Sequence, residues 1–266
     1  MKDGFGRTIS YMRISITDRC NLRCRYCMPH GIECVPMDQL LTFEEYAAAA
    51  AAAVRLGIRR FKITGGEPLA RRGCCRLIAM LKQIPGVEQV TITTNGALLP
   101  EYLDEILAAG TDGINISLDT LDPELYRALT GGGDIRPVLE VLERLTEPSH
   151  RTNSSGKQIP VKINAVSLDL AALSERLGCS GSGAGWTELL SLAKEYPFDL
   201  RFIEMMPVGY GKQFASVDHR ELLRQLKELY PDLEQDQSIH GNGPAVYYRI
   251  PGFRGGIGLI SAMHGK

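Results

Sequence analysis

Cys20, Cys24 and Cys27 place three thiols within eight consecutive residues, and this run constrains the chain more tightly than any other. The C-x3-C-x2-C spacing brings three soft ligands onto one short loop. An iron–sulfur cluster held by three thiolates keeps one iron without a protein ligand, a position open to chemistry. A structural zinc knot needs a fourth Cys or His at matched spacing. His30 and Cys34 are the nearby candidates, so the triplet alone leaves zinc open. Cys74 and Cys75 are adjacent and Cys179 stands alone, so no second spaced cluster forms.

At 266 residues and 44% hydrophobic content the chain has room for one large α/β domain. A formal net charge of -1 argues against a nucleic-acid partner. No apolar run reaches spanning length, and the segment Met1 to Gly6 lacks the apolar core of a signal peptide. The expectation is a cytoplasmic protein with no membrane partner. In that reducing setting seven cysteines read as ligands or thiols rather than disulfides.

Hydrophobic periodicity alternates strand and helix. Strands are predicted at Tyr11 to Ile16, Arg60 to Ile63, Gln89 to Thr93, Gly113 to Ser117, Pro160 to Val166 and Asp199 to Glu204. The first helix is the clearest: Thr42 caps it, Glu45 completes a capping box, Ala47 to Ala53 favour helix, and Gly57 ends it. This alternation predicts a parallel sheet with helical crossovers, open or closed into some form of barrel. Pro148 to Lys157 and Gly178 to Gly185 read as surface loops. After Glu204 come an amphipathic helix near Asp218 to Leu229 and two short strands, Ala245 to Ile250 and Gly256 to Ile260. We therefore expect a barrel over residues 1–215 and an extension over 216–266.

Parallel strands buried on both faces read as continuous apolar runs. These do not. Arg13 and Ser15 alternate with Ile14 and Ile16, Lys62 and Thr64 flank Ile63, and Lys162 and Asn164 alternate with Val161, Ile163 and Ala165. Thr91, Thr93 and Asn95 share one parity, as do Asn115, Ser117 and Asp119. Each strand thus has a polar row on one side. If that side faces a lumen, Arg13, Lys62 and Lys162 project into one cavity and suit a phosphorylated substrate. The alternative is a one-sided sheet with its polar rows in water.

Motifs sit where α/β folds bind ligands, at the carboxyl ends of strands: Gly65-Gly66-Glu67-Pro68, Thr93-Thr94-Asn95-Gly96, and Asn115-Ile116-Ser117-Leu118-Asp119. Together with the words from Arg13 to Met28, Ile63 to Leu69 and Arg201 to Gly209, the chain resembles the radical S-adenosylmethionine (SAM) superfamily. Within it the resemblance is to the GTP 3′,8-cyclases of molybdenum-cofactor biosynthesis, over nearly the whole chain and weakest from Leu168 to Trp186.

The resemblance implies a partial (β/α)6 TIM-type barrel, and a radical SAM lyase that takes GTP as substrate and draws on an electron donor. It implies a 4Fe-4S cluster on Cys20, Cys24 and Cys27, with SAM met by Tyr26, Gly66, Ser117 and Met206. GTP is met by Arg13, Lys62, Thr93 and Lys162, with Lys62 where many members have Arg. A homodimer is implied by the same resemblance. Family members carry a second 4Fe-4S cluster on cysteines beyond the segment that Gly256 to Ser261 resembles. Because the sequence given stops at Lys266, it reads as either a truncated member or a shortened relative that has lost the guanine-binding half of its site; the retained cations favour truncation, and the expectation is SAM cleavage uncoupled from cyclisation. Two other readings stand beside this one: a radical SAM enzyme acting on a peptide, which leaves the cations without a role, and a non-enzymatic metal module, which leaves GGEP without one.

Overall fold

The computed structural model describes residues 4–179, 185–238 and 240–261. Parts of the N-terminal segment, of the predicted Gly178 to Gly185 loop and of the C-terminus therefore lie outside the described residues. In chain order the elements are β1 (Tyr11–Ser15), α1 (Phe43–Arg55), β2 (Arg60–Thr64), α2 (Cys74–Lys82), β3 (Gln89–Thr94), α3 (Leu99–Ala108) and β4 (Ile114–Ser117). There follow α4 (Pro123–Leu129), α5 (Arg136–Arg144), β5 (Val161–Val166), α6 (Leu170–Leu177), α7 (Leu190–Glu195) and β6 (Phe198–Ile203). The last are α8 (His219–Leu229), β7 (Glu234–Asp236), β8 (Val246–Arg249) and β9 (Ile257–Ile260). The six predicted barrel strands all form, each end within one residue of its expected place.

The chain divides into two compact units. The first holds residues 1–21, 32–115 and 137–160, and the second holds 22–31, 116–136 and 161–266, so β4 is shared out after Asn115.

In the first unit β1, β2 and β3 pair in parallel, with Arg13 opposite Lys62 and Lys62 opposite Thr91. The predicted polar row is therefore real there, since paired residues of parallel strands share a face. The alternate residues Phe61, Ile63, Val90 and Ile92 are fully buried, as are Leu77, Ile78 and Leu81 of α2. Helix α1 begins as its sequence requires. The Thr42 side chain accepts from the Glu45 N–H at 3.2 Å, and Glu45 Oε2 accepts from the Thr42 N–H at 2.7 Å.

In the second unit the strand order is β5-β6-β9-β8-β7. Strand β9 pairs in parallel with β6, while β8 and β7 add antiparallel to it. The predicted two-strand segment is thus three strands, and its last strand continues the parallel sheet. Strand β7 escaped the sequence reading because Glu234-Gln235-Asp236 has no apolar residue to mark a strand. Helix α8 starts from Asp218, whose carboxylate accepts from the Arg220 N–H at 2.7 Å. Among the described residues no helix is long and apolar enough to cross a membrane.

Because the Thr42 box satisfies two otherwise orphaned groups at the start of α1, Thr42→Ala is expected to cost about 1 kcal/mol. Chemical denaturation reads this directly, and an unchanged midpoint would show that the box contributes nothing.

Candidate active site

The segment that follows β1 carries Cys20, and the first unit holds it by close backbone contact. Gly66 N–H donates to Thr17 O at 2.7 Å, and Glu67 N–H donates to Arg19 O at 2.8 Å. A Cβ on Gly66 would collide with the Arg19 carbonyl and lie 2.7 Å from Asp18 O; one on Gly65 would lie 2.7 Å from Thr17 O. Both glycines are therefore required by close approach of two backbone segments. Arg71 closes the same corner, donating to Ile16 O and Leu41 O, each at 2.6 Å, with its guanidinium 4.5 Å from the Phe43 ring centroid.

Glu67 is buried, and its carboxylate joins two turns. It accepts from Leu69 N–H at 3.0 Å, the Thr94 hydroxyl at 2.7 Å and Asn95 N–H at 2.7 Å. Burial pushes its carboxyl pKa up, and these donors pull against that shift. Asn95 in turn donates to Asn21 Oδ1 at 2.8 Å and to Cys20 Sγ at 3.8 Å. Arg13 is exposed, Lys62 and Thr93 are half-buried, and Lys62 Nζ lies 5.9 Å from the Tyr11 ring centroid.

Cys24 and Cys27 belong to the second unit. Cys27 N–H and Met28 N–H both donate to Cys24 O, at 2.9 and 3.0 Å, forming a tight turn. Arg23 N–H and Arg25 N–H anchor that turn to Thr130 O and Leu129 O at 2.8 and 2.9 Å. The Tyr26 ring packs against the apolar cluster of Leu125, Leu129, Leu168, Leu170 and Leu173. Its hydroxyl donates to Asp119 Oδ2 at 2.7 Å, and Asp119 Oδ1 accepts from Val166 N–H at 2.8 Å. Burial, and then the Asp119 charge, push the Tyr26 hydroxyl well up; burial also raises Asp119 against its two hydrogen bonds. Ser117, at the end of β4, is half-buried, and Met206, just past β6, is exposed.

Lys162 departs most from the sequence expectation of a cation aimed at substrate. It is buried, and Nζ donates to Asp199 Oδ2 at 2.9 Å, to Tyr247 OH at 3.1 Å and to His240 O. Burial would raise the Asp199 carboxyl, but the Lys162 charge and the hydrogen bonds outweigh it and hold the pKa down. Arg201 stands in the same strand pair, with Nε donating to Asn164 Oδ1 at 2.9 Å. Sequence reasoning gave no role to Glu67, Asn95, Asp119 or Arg201, although all four lie in the quoted motifs. The signal was their polarity, at strand ends for Glu67, Asn95 and Asp119 and within β6 for Arg201.

The Radical SAM superfamily profile matches residues 14–154. Over 265 residues the chain is 40% identical to a GTP 3′,8-cyclase of Clostridium perfringens (strain 13 / Type A), a match covering 99% of this chain and 76% of the relative. A GTP 3′,8-cyclase of Alkaliphilus oremlandii is 40% identical over 267 residues, with 99% and 76% covered. Among solved structures, Streptococcus suis SuiB bound to S-adenosylmethionine superposes with TM-score 0.60 at 23% identity, over 83% of this chain and 46% of that one. Methylornithine synthase gives TM-score 0.57 at 14% identity, covering 83% and 62%. At such identities the likeness is one of fold, and the fold is the α/β, mostly parallel, partial TIM-type barrel.

The Asp119 environment yields a pH prediction. Asp119→Asn keeps an acceptor for Val166 N–H and a partner for the Tyr26 hydroxyl while removing a buried charge. A raised carboxyl pKa penalises the ionised folded state above that pKa, and the penalty fades as pH falls through it. The stability of Asp119→Asn relative to the parent should therefore be greatest near neutrality and shrink on acidification toward about pH 4. Asp119→Ala, which strands both donors, should cost about 2 kcal/mol. Thermal unfolding across pH checks this, and an Asn advantage that grows in acid would contradict it.

Proposed function

We infer that this chain, which belongs to the radical SAM superfamily and within it to the GTP 3′,8-cyclase family, cyclises GTP toward molybdopterin with a 4Fe-4S cluster and SAM. The observation that carries this is 40% identity across 99% of the chain.

The residues present fit those cofactors. None of the seven cysteines forms a disulfide, so the donor set is thiol. Among the described residues no three His, Cys, Asp or Glu side chains are placed to hold a single metal ion. A cubane cluster asks instead for one thiolate on each of three irons. When bound, the cluster and SAM supply the reductive carbon–sulfur cleavage from which abstraction of the ribose 3′ hydrogen of GTP follows.

The chain's own residues bind and orient. In this proposal Cys20, Cys24 and Cys27 hold the cluster, and Tyr26, Gly66, Ser117 and Met206 meet SAM. Arg13, Lys62, Thr93 and Lys162 meet GTP, the cations through its phosphates. Lys162 differs from Arg13, because it is buried and phosphate has to compete with the half-buried Asp199 carboxylate for it. A one-electron donor is required, and the family reading supports a cytoplasmic location. The family resemblance supports a homodimer.

Reconstituted anaerobically and reduced, the protein is expected to cleave SAM to 5′-deoxyadenosine, and GTP is expected to raise its melting temperature. Cys24→Ala should abolish the cleavage. Zinc as the tightly bound metal would favour a metal module, and a melting temperature indifferent to GTP would favour a peptide substrate.

The two kinds of cation separate by mutation. Arg13→Ala should weaken GTP binding by about 1.5–3 kcal/mol, the scale of a charged hydrogen bond, without changing stability. Lys162→Ala should lower both affinity and stability, since it removes the cation paired with Asp199. Calorimetry decides, and unchanged GTP affinity in both variants would mean that neither cation meets the nucleotide.

A further inference from the structure

We propose that Asn95 donates a hydrogen bond to the cluster-ligating sulfur of Cys20 and so raises the reduction potential of the cluster, with Glu67 as the residue that positions Asn95. This rests on the reading of Cys20 as a cluster ligand, and the two are separable below.

Asn95 follows β3, and its polar groups are committed. Its backbone N–H donates to Glu67 Oε2 at 2.7 Å, and its side-chain Oδ1 accepts from Ala97 N–H at 3.0 Å. That second bond orients the amide, because flipping it would set an NH2 group against the Ala97 N–H. Nδ2 is left facing the cysteine segment, where one proton serves Asn21 Oδ1 at 2.8 Å and the other points to Cys20 Sγ at 3.8 Å, a separation suited to the larger sulfur atom.

Glu67 makes this placement durable. A carboxylate only 1% exposed must keep its donors, and three of them come from the turn after β2 and the turn after β3. Losing Asn95 N–H would leave Oε2 without its bond from that turn. Thr17 and Arg19, which lead into Cys20, accept hydrogen bonds from the Gly66 and Glu67 N–H groups, and Glu67 in turn holds Asn95, so the donor and the thiol are fixed to one framework within the first unit.

The electrostatic consequence has a definite sign. When a thiolate-bound cluster takes up one electron, negative charge on its sulfurs grows. An N–H donor aimed at one of them stabilises the reduced form more than the oxidised form. Partners of this kind, one shell out from the metal, tune the centre without ligating it.

The test uses the full chain, reconstituted anaerobically, with reduced cluster measured by electron paramagnetic resonance during a redox titration. Asn95→Asp keeps the acceptor for Ala97 N–H but replaces the donor with an oxygen, and Asn95→Ala removes the side chain. At the potential that leaves the parent half reduced, the reduced-to-oxidised ratio should fall about threefold or more in both, roughly 30 mV for a one-electron couple. The fall should be larger for Asp, whose charge opposes that of the thiolate. Melting temperatures of the apoproteins should stay near the parent's for Asn95→Asp. Cys20→Ala tests the underlying reading separately, through lost iron rather than a shifted potential. Unchanged ratios in both Asn95 variants would overturn the proposal. A fall in iron content accompanied by a much lower apoprotein melting temperature would also overturn it, because Asn95 would then only be holding its turn. Iron loss at an unchanged melting temperature would support it.

Discussion

The close approach of Gly65 and Gly66 to the backbone of Thr17, Asp18 and Arg19 is the constraint from which the first unit's site is built. Two hydrogen bonds of 2.7 and 2.8 Å run between these segments, and there is no space for a Cβ at Gly66. The turn after β2 and the approach to Cys20 are therefore one rigid piece. From it Glu67 reaches the turn after β3, and Asn95 reaches back to Cys20. A site whose chemistry is supplied by cofactors depends on this kind of prior positioning, since small displacements are costly in oriented reactions.

Each unit uses a buried carboxylate as a pin. Glu67 binds three donors in the first unit, and Asp119 binds the Tyr26 hydroxyl and the Val166 N–H in the second. Both carboxyl groups are pushed upward by burial. Both sit at strand ends next to motif residues, so stability is spent on holding the turns that carry cysteines or flank them. Tyr26 illustrates the effect. Its ring sits in an apolar cluster, its hydroxyl is tied to Asp119, and the turn bearing Cys24 and Cys27 is thereby fixed at its centre.

What was legible in the sequence was mostly local. Strand parity put Arg13, Lys62 and Thr91 on one face because period-two alternation needs only the strand itself, and register then brought them side by side. The capping box of α1 was readable for the same reason. The surroundings of Lys162 were not, because its partners Asp199, His240 and Tyr247 are 37, 78 and 85 residues away. The 93-residue separation of Tyr26 and Asp119 hid their bond equally. Glu67 and Asn95 lay in plain view within their motifs, yet only the fold shows that a carboxylate in one turn orders the amide of the next. The parallel addition of β9 to β6 was likewise a long-range pairing that no local pattern marks.

The most direct test of this account is Gly66→Ala, read by unfolding of the apoprotein and by SAM cleavage of the reconstituted enzyme. Forcing a methyl group against the Arg19 carbonyl should destabilise the protein by about 2 kcal/mol or more and abolish cleavage, because the segment leading into Cys20 has to move. A variant that unfolds with the parent and cleaves SAM at the parent's rate would show that the two segments are not locked together, and the account would fail at its base.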